Sequence, residues 1–171
     1  VSELQELPKT YEATLRLGEE TDTLDRTGTV IRETEVPELT LPKIERALAG
    51  FKGKILQRIP DYSASKVGGK RSYKLARQGK EIPPRFKSVE IFDLTLLDLT
   101  DREIRFAVQC GSGTFVRTLG FDIAAELGTL GHLTELIRTS IGKYRIENAV
   151  SLEDFSIIWK NYTGNENISK N

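Results

Sequence analysis

The sequence predicts an α+β fold, with a mixed, largely antiparallel sheet and flanking helices. Three observations carry this expectation. Residues 9–17 and 103–110 alternate apolar and polar side chains, the period of a half-buried strand. Residues 88–99 and 103–110 are two such runs joined by the polar turn at 100–102, which makes an antiparallel hairpin. Between the strand runs, apolar residues recur at helical spacing, Leu41, Ile44, Leu48 and Phe51 in one segment and Phe115, Leu119, Ile123 and Leu127 in another. Strands in hairpins with interspersed helices argue for one α+β unit over residues 1–160, followed by a loose Asn- and Ser-rich tail at 161–171.

Taken in order, the first strand places Tyr11, Ala13, Leu15 and Leu17 on one side and Thr10, Glu12, Thr14 and Arg16 on the other. Gly18 ends it. Residues 19–28 are polar and turn-rich, with Asp22 and Asp25 as ordinary turn residues rather than metal ligands, because no His or third close carboxylate completes a ligand set. A short strand over 29–34 precedes a helix that Thr40 is placed to cap and that stops near Gly50 to Gly53. Arg71 to Gln78 is expected as a short helix, and Pro83-Pro84 precludes helix directly after it. Residues 132–141 favour a strand through Thr134, Ile137, Thr139 and Ile141, although Leu133, Leu136 and Ile137 also suit a helix. Ser151-Leu-Glu-Asp154 has the spacing of a capping box and opens a last helix.

At 171 residues the chain is long enough to bury a sizeable core. Its single Cys, Cys110, rules out an internal disulfide and suits a reducing cytoplasm. One Cys and one His, His132, offer neither a zinc site nor a hydrolase triad. No run of apolar residues is long enough for a transmembrane helix. The chain starts with Val1 and contains no Met, so residues are expected upstream of it.

Net charge is zero but unevenly spread. Residues 52–87 carry eleven Lys and Arg against two acids, +9, between flanks of −5 and −4. Tyr62 and Tyr73, which can stack on bases, lie among these charges, and Gly68, Gly69 and Gly79 permit close backbone approach. This is the footprint of a nucleic-acid contact, with Tyr62, Lys66, Lys70, Arg71, Tyr73 and Arg77 as its candidate residues. The plain alternative for such a block is a solvated surface segment. A second candidate site lies at Gly111-Ser-Gly-Thr-Phe-Val-Arg-Thr-Leu119, which leaves a strand and opens a helix. Arg117 falls in the first turn, where the helix dipole disfavours a cation, so a partner carboxylate or phosphate is expected.

These segments carry a specific resemblance. The run Tyr-Ser-Ala-x-Lys-Val-x-Gly-Lys-Arg-x-Tyr-x-x-Ala-Arg-x-Gly over residues 62–79 resembles the hallmark run of the TruB family of tRNA pseudouridine-55 synthases. Leu-Gly-x-x-Thr-Asp-Thr-x-Asp-x-x-Gly over 17–28, Gly-Thr-Phe-Val-Arg-Thr-Leu over 113–119 and Leu-Ile-Arg-Thr-Ser-Ile-Gly over 136–142 are similar to further runs of that family. The resemblance implies that the basic block is an insertion gripping the tRNA T arm. It implies that Arg117 pairs with the catalytic aspartate and that Leu136 lines the uracil pocket. Tyr11, in Pro-Lys-Thr-Tyr, resembles the family tyrosine that stacks on the flipped uracil and assists proton transfer at C5. Phe115 stands where the family usually has Tyr, so one hydroxyl is absent.

The implied reaction needs no cofactor and no metal, and the implied partner is tRNA, engaged by a monomer without a membrane. The family nucleophile belongs to a Gly-x-Leu-Asp-Pro motif that this sequence does not contain. Leu24-Asp25-Arg26 does not replace it, because it belongs to another matched run. Arg117 is therefore expected to be an incompletely paired cation, converging with Tyr11 and Leu136. No match to the C-terminal RNA-binding domain of many members is expected after residue 160. Two other readings stay open: a non-catalytic RNA-binding relative, and an adaptor whose basic loop binds acidic proteins.

Overall fold

The structure is a computed structural model and describes residues 2–60, 66–67, 70–71 and 83–166. A short helix α1 (Ser2–Glu6) leads into β1 (Lys9–Leu17), followed by the small pair β2 (Glu19–Thr21) and β3 (Val30–Glu33). Helix α2 (Leu41–Gly50) and strand β4 (Gly53–Arg58) precede the short strands β5 (Lys66–Val67) and β6 (Lys70–Arg71). The long hairpin β7 (Phe86–Leu99) and β8 (Glu103–Cys110) then feeds α3 (Val116–Glu126), β9 (Gly131–Ile141), β10 (Tyr144–Arg145), a 3-10 turn and α4 (Leu152–Glu166).

Six strands form the main sheet in the order β10-β9-β1-β8-β7-β4, with every neighbouring pair antiparallel. The parallel element of the expected mixed sheet is a lone bridge, Asp25 to Leu133. β1 takes the centre because its alternation supplies one fully apolar face. Ala13, Leu15 and Leu17 are buried against Ile104, Phe106 and Val108 of β8 and the inner faces of α2 and α3. The opposite face is polar and carries ion pairs such as Arg105 to Glu12 at 2.7 Å.

The predicted 88–110 hairpin is present, in register from Ile91–Cys110 to Leu99–Ile104 with bulges near Phe92 and Leu97. Residues 131–141 form a strand, so β-branched content prevails over the helical alternative. In α2 the buried residues are Ile44, Ala47 and Leu48, whereas Leu41 is exposed, and Thr40 occupies the N-cap without a side-chain capping bond. A proline in the first turn of α2 offers no N–H for a cap to serve. The polar segment 19–28 begins as strand β2, because Glu19 and Glu20 pair with Glu33 and Arg32.

Two expectations need correcting. Arg71 is not the start of a helix: it pairs antiparallel with Lys66, β6 against β5. The rest of that predicted helix, 72–78, lies outside the described residues. The tail does not begin at 161, because α4 continues to Glu166. Ser151 Oγ accepts the Asp154 N–H at 3.0 Å to cap this helix, and the stacked rings Phe155, Trp159 and Tyr162, with centroids 6.1 and 6.3 Å apart, carry the helical spacing past residue 161.

Candidate active site

The site is assembled by the loop after β2 and the start of α3. The loop is folded by its own side chains. Asp22 Oδ1 accepts the Thr29 N–H at 2.9 Å, and Thr21 Oγ1 donates to the Asp25 carbonyl at 2.8 Å. Leu24 adopts φ 59°, a left-handed conformation that costs a branched side chain energy and is held here by its surroundings. Gly28 packs against Asp22 and Thr23 so closely that a Cβ would lie 2.9 Å from the Thr23 nitrogen. The loop is fastened to the edge of β9 by Arg26 N–H to Leu133 carbonyl at 2.9 Å and Leu133 N–H to Leu24 carbonyl at 3.1 Å.

Helix α3 is fixed just as tightly. No side chain of its own caps it, and the buried Gln57 of β4 takes over that role. Gln57 Oε1 accepts the Phe115 N–H at 2.8 Å, and Gln57 Nε2 donates to the Phe115 carbonyl at 3.1 Å. One turn further on, a Cβ at Gly120 would approach Leu133 Cδ2 to 2.7 Å, so glycine lets α3 lie close on β9.

These two placements bring Asp25 and Arg117 together. Arg117 Nη1 donates to Asp25 Oδ2 at 2.8 Å and to the Thr23 carbonyl at 3.1 Å. The other carboxylate oxygen, Oδ1, accepts from Thr23 Oγ1 at 2.9 Å, Thr27 N–H at 3.0 Å and Thr27 Oγ1 at 2.5 Å. Burial opposes ionisation of Asp25, but the hydrogen bonds from Thr27 and Thr23 and the Arg117 charge outweigh it and hold its pKa below the usual value. The expectation of an incompletely paired Arg117 is thus corrected. Its partner is Asp25, the residue read as an ordinary turn carboxylate, and the pair also offsets the unfavourable position of a cation at a helix start.

Asp25 and Arg117 line a cavity of about 450 Å³ together with Leu136. Leu136 lies 44% exposed, so this large apolar side chain faces open space rather than the core. Tyr11 is half-buried against the core and lines a different cavity, with Arg138 and residues 111–114. The register explains the separation. Tyr11 pairs with Arg138 and Ala13 with Leu136, so Tyr11 stands one same-face step along the sheet from Leu136. The structure therefore brings two of the three expected side chains to one cleft and sets the third beside the next.

Of the candidate RNA-binding residues, Lys66, Lys70 and Arg71 lie in the β5–β6 pair. Tyr62, Tyr73 and Arg77 lie outside the described residues.

Sequence reasoning missed Gln57 and set Asp25 aside. Gln57 left one usable signal: it occupies an inward position of β4, on the same side as Ile55, where a polar residue needs a buried partner.

The antiparallel α+β sheet, with a carboxylate–guanidinium pair at the mouth of a partly apolar cleft, defines a class of proteins that is recognisable by comparison. The family model for the N-terminal domain of TruB family pseudouridylate synthases matches residues 1–116, and the model for the C-terminal domain of tRNA pseudouridylate synthase B matches residues 117–170. The chain belongs to the TruB family. It is 43% identical over 147 residues to the tRNA pseudouridine synthase B of Francisella philomiragia, covering 85% of this chain and 49% of that protein. With the tRNA pseudouridine synthase B of Aquifex aeolicus it shares 42% over 151 residues, 87% of this chain and 52% of that protein. The chain thus spans about half the length of these relatives. Among solved structures, the fold resembles one in a Cbf5–Nop10–Gar1 complex, with TM-score 0.65 and 22% identity over 95% of this chain and 40% of the other. A second match, in an H/ACA RNP bound to a substrate RNA containing 2′-deoxyuridine, has TM-score 0.63 and 19% identity over 96% of this chain and 38% of the other.

Proposed function

We propose that this chain forms part of the catalytic unit of a tRNA pseudouridine synthase, which isomerises a uridine of the tRNA T loop, pseudouridine-55 being the product. The observation that carries the reading is the Asp25–Arg117 pair at the mouth of the Leu136 cleft. A flipped base needs an apolar wall and a fixed electrostatic frame. Leu136 supplies the first. The pair supplies the second, with Arg117 aimed by Asp25 from one side and by the Gln57 clamp on Phe115 from the other.

In this reading the bond N1–C1′ breaks, the uracil turns, C5 joins C1′, and the C5 proton leaves while N1 gains one. The nucleophile is an aspartate contributed by sequence other than these 171 residues, and Arg117 is its counter-ion as well as that of Asp25. Tyr11 reaches the base from the neighbouring cavity and assists removal of the C5 proton. The basic block 52–87 engages the T arm through phosphates. The catalytic unit acts as a monomer, without metal, in the cytoplasm.

The experiment measures release of tritium from tRNA carrying [5-³H]uridine. The 171-residue chain alone is expected to bind tRNA and release none. Chain complemented with the aspartate-bearing segment of a relative is expected to release it, and Arg117→Gln is expected to abolish release while leaving tRNA affinity nearly unchanged. Release by the chain alone, or none after complementation that restores a stable complex, overturns the reading. The second result leaves a non-catalytic RNA-binding relative.

A further inference from the structure

A second cavity, of about 390 Å³, opens between α3 and the β2–β3 pair. The 22–28 loop serves both cavities: Asp25, Arg26 and Thr27 face the first, and Asp22, Thr23 and Leu24 face this one. Its polar lining is mainly acidic, with Glu20, Asp22 and Asp122 against Arg58. Glu20 is already paired with Arg32, and Asp22 Oδ1 takes the Thr29 N–H. Asp122 has no hydrogen-bond or ion-pair partner among the described residues, and burial alone pushes its pKa up to about 6.

One turn back on the same helix face, Thr118 is 3% exposed and its hydroxyl is the buried side-chain polar atom left without a partner among the described residues. A native interior does not ordinarily leave a hydroxyl unbonded, since the desolvation costs about 1–3 kcal/mol. Leu24, Ile31 and Phe121 complete the wall with apolar surface. The features combine into one demand: an aliphatic stem against the apolar wall, and a compact cationic head giving hydrogen bonds to Asp122, Thr118 Oγ1 and the remaining oxygen of Asp22. A primary ammonium has three such donors on a four-carbon stem when it belongs to lysine.

We propose that this cavity is a docking pocket for a lysine side chain presented by a polypeptide segment. With Glu20 already paired to Arg32, Asp22 and Asp122 still outnumber Arg58 in the lining, a balance that favours a cation over a phosphate. No group of three His, Cys, Asp or Glu side chains among the described residues is arranged to hold a metal ion, which separates the cavity from a cation site. A polypeptide source fits the comparisons, because the relatives have about as much chain again outside the matched part. The inference does not rest on the catalytic reading, and its test reads binding alone.

The test uses the full 171-residue chain and Nα-acetyl-lysine methylamide as the probe, with Nα-acetyl-norleucine methylamide as its uncharged counterpart. Binding is followed by the ¹³C signals of the Asp122 carboxyl and the Thr118 methyl. The lysine probe is expected to shift both signals saturably. Asp122→Asn is expected to weaken binding about tenfold or more and Thr118→Val to weaken it less, because a charge-assisted bond outweighs a neutral one. Absence of saturable shifts, equal binding of the norleucine probe, or undiminished binding to both variants overturns the proposal.

Discussion

Asp25→Asn tests the pair on which the site is built. The substitution keeps size and shape but removes the charge that faces Arg117. The carboxylate receives four donors, one from Arg117 on Oδ2 and three from Thr23 and Thr27 on Oδ1. An asparagine satisfies one set only: its Nδ2 confronts either the guanidinium or the Thr27 N–H. Both side chains are about three-quarters buried, at 24% and 26% exposure. That places the pair between exposed ion pairs, worth about 0.2–1 kcal/mol, and buried ones, whose disruption costs about 3–5 kcal/mol. The expected loss of stability is therefore about 2 kcal/mol.

Urea unfolding at pH 7 measures this loss, and a double-mutant cycle with Arg117→Gln isolates the pair, for which a coupling of about 1–2 kcal/mol is expected. The pKa of Asp25 is lowered in the folded state. Its contribution is thus fully present above the unfolded value near 3.8 and disappears as pH falls through the lower folded value. The difference between wild type and Asp25→Asn should shrink below about pH 4. A coupling under about 0.3 kcal/mol, or a difference unaltered in acid, would refute the argument that this pair holds loop and helix together.

Gln57→Leu should destabilise the chain by about 1–3 kcal/mol, because it leaves the partly buried Phe115 N–H without its acceptor, while the Phe115 carbonyl keeps the Leu119 N–H; urea midpoints measure this. Asp122→Asn should act in the opposite direction. With a folded pKa of about 6 against an ordinary 3.8, wild type loses stability as pH rises between those values, and at pH 7 the variant should be more stable by about 2 kcal/mol, with a flatter pH profile in urea or thermal unfolding. Changing Lys70, Arg71 and Arg77 to Ala should weaken tRNA binding. The slope of log affinity against log salt should fall by about 1 for each phosphate the variant no longer neutralises, as read by filter binding at several salt concentrations.

The sheet was legible because its strands carry period-two patterns that only one face can satisfy. β1 and β8 alternate cleanly, which marked each as a half-buried strand, whereas their pairing, with Leu15 opposite Ile104 and both buried, came only with the structure. The site was legible in part. Arg117 stood out through its conflict with the helix dipole, and Leu136 through a resemblance. Asp25 did not, because a turn aspartate bonded to Thr23 and Thr27 looks the same in sequence whether or not an arginine from 92 positions away also reaches it. The Tyr11 separation was likewise hidden, since it depends on the β1–β9 register and the bulge between Thr10 and Tyr11. The end of α4 was misplaced because Asn-rich composition outweighed the aromatic spacing 155, 159, 162, which continues a helix.

The family models divide the chain at 116/117, but the fold has no seam there. β9, from the second matched part, pairs along the whole of β1, from the first, and so supplies the neighbour without which β1 would be an edge strand. Arg117, the first residue beyond the division, finds its carboxylate in Asp25 from before it. Phe115, just ahead of the division, is clamped by Gln57 and in turn starts the helix that carries Arg117. The cleft thus exists only where both matched parts meet: one brings the loop and the clamp, the other brings the guanidinium and the apolar wall at Leu136. A boundary drawn by sequence similarity marks where one pattern gives way to another. The physical unit is defined by which strands close the sheet and which charges are paired across it. By that measure the six strands of the main sheet are one body, with the candidate active site on the line between the two matched parts.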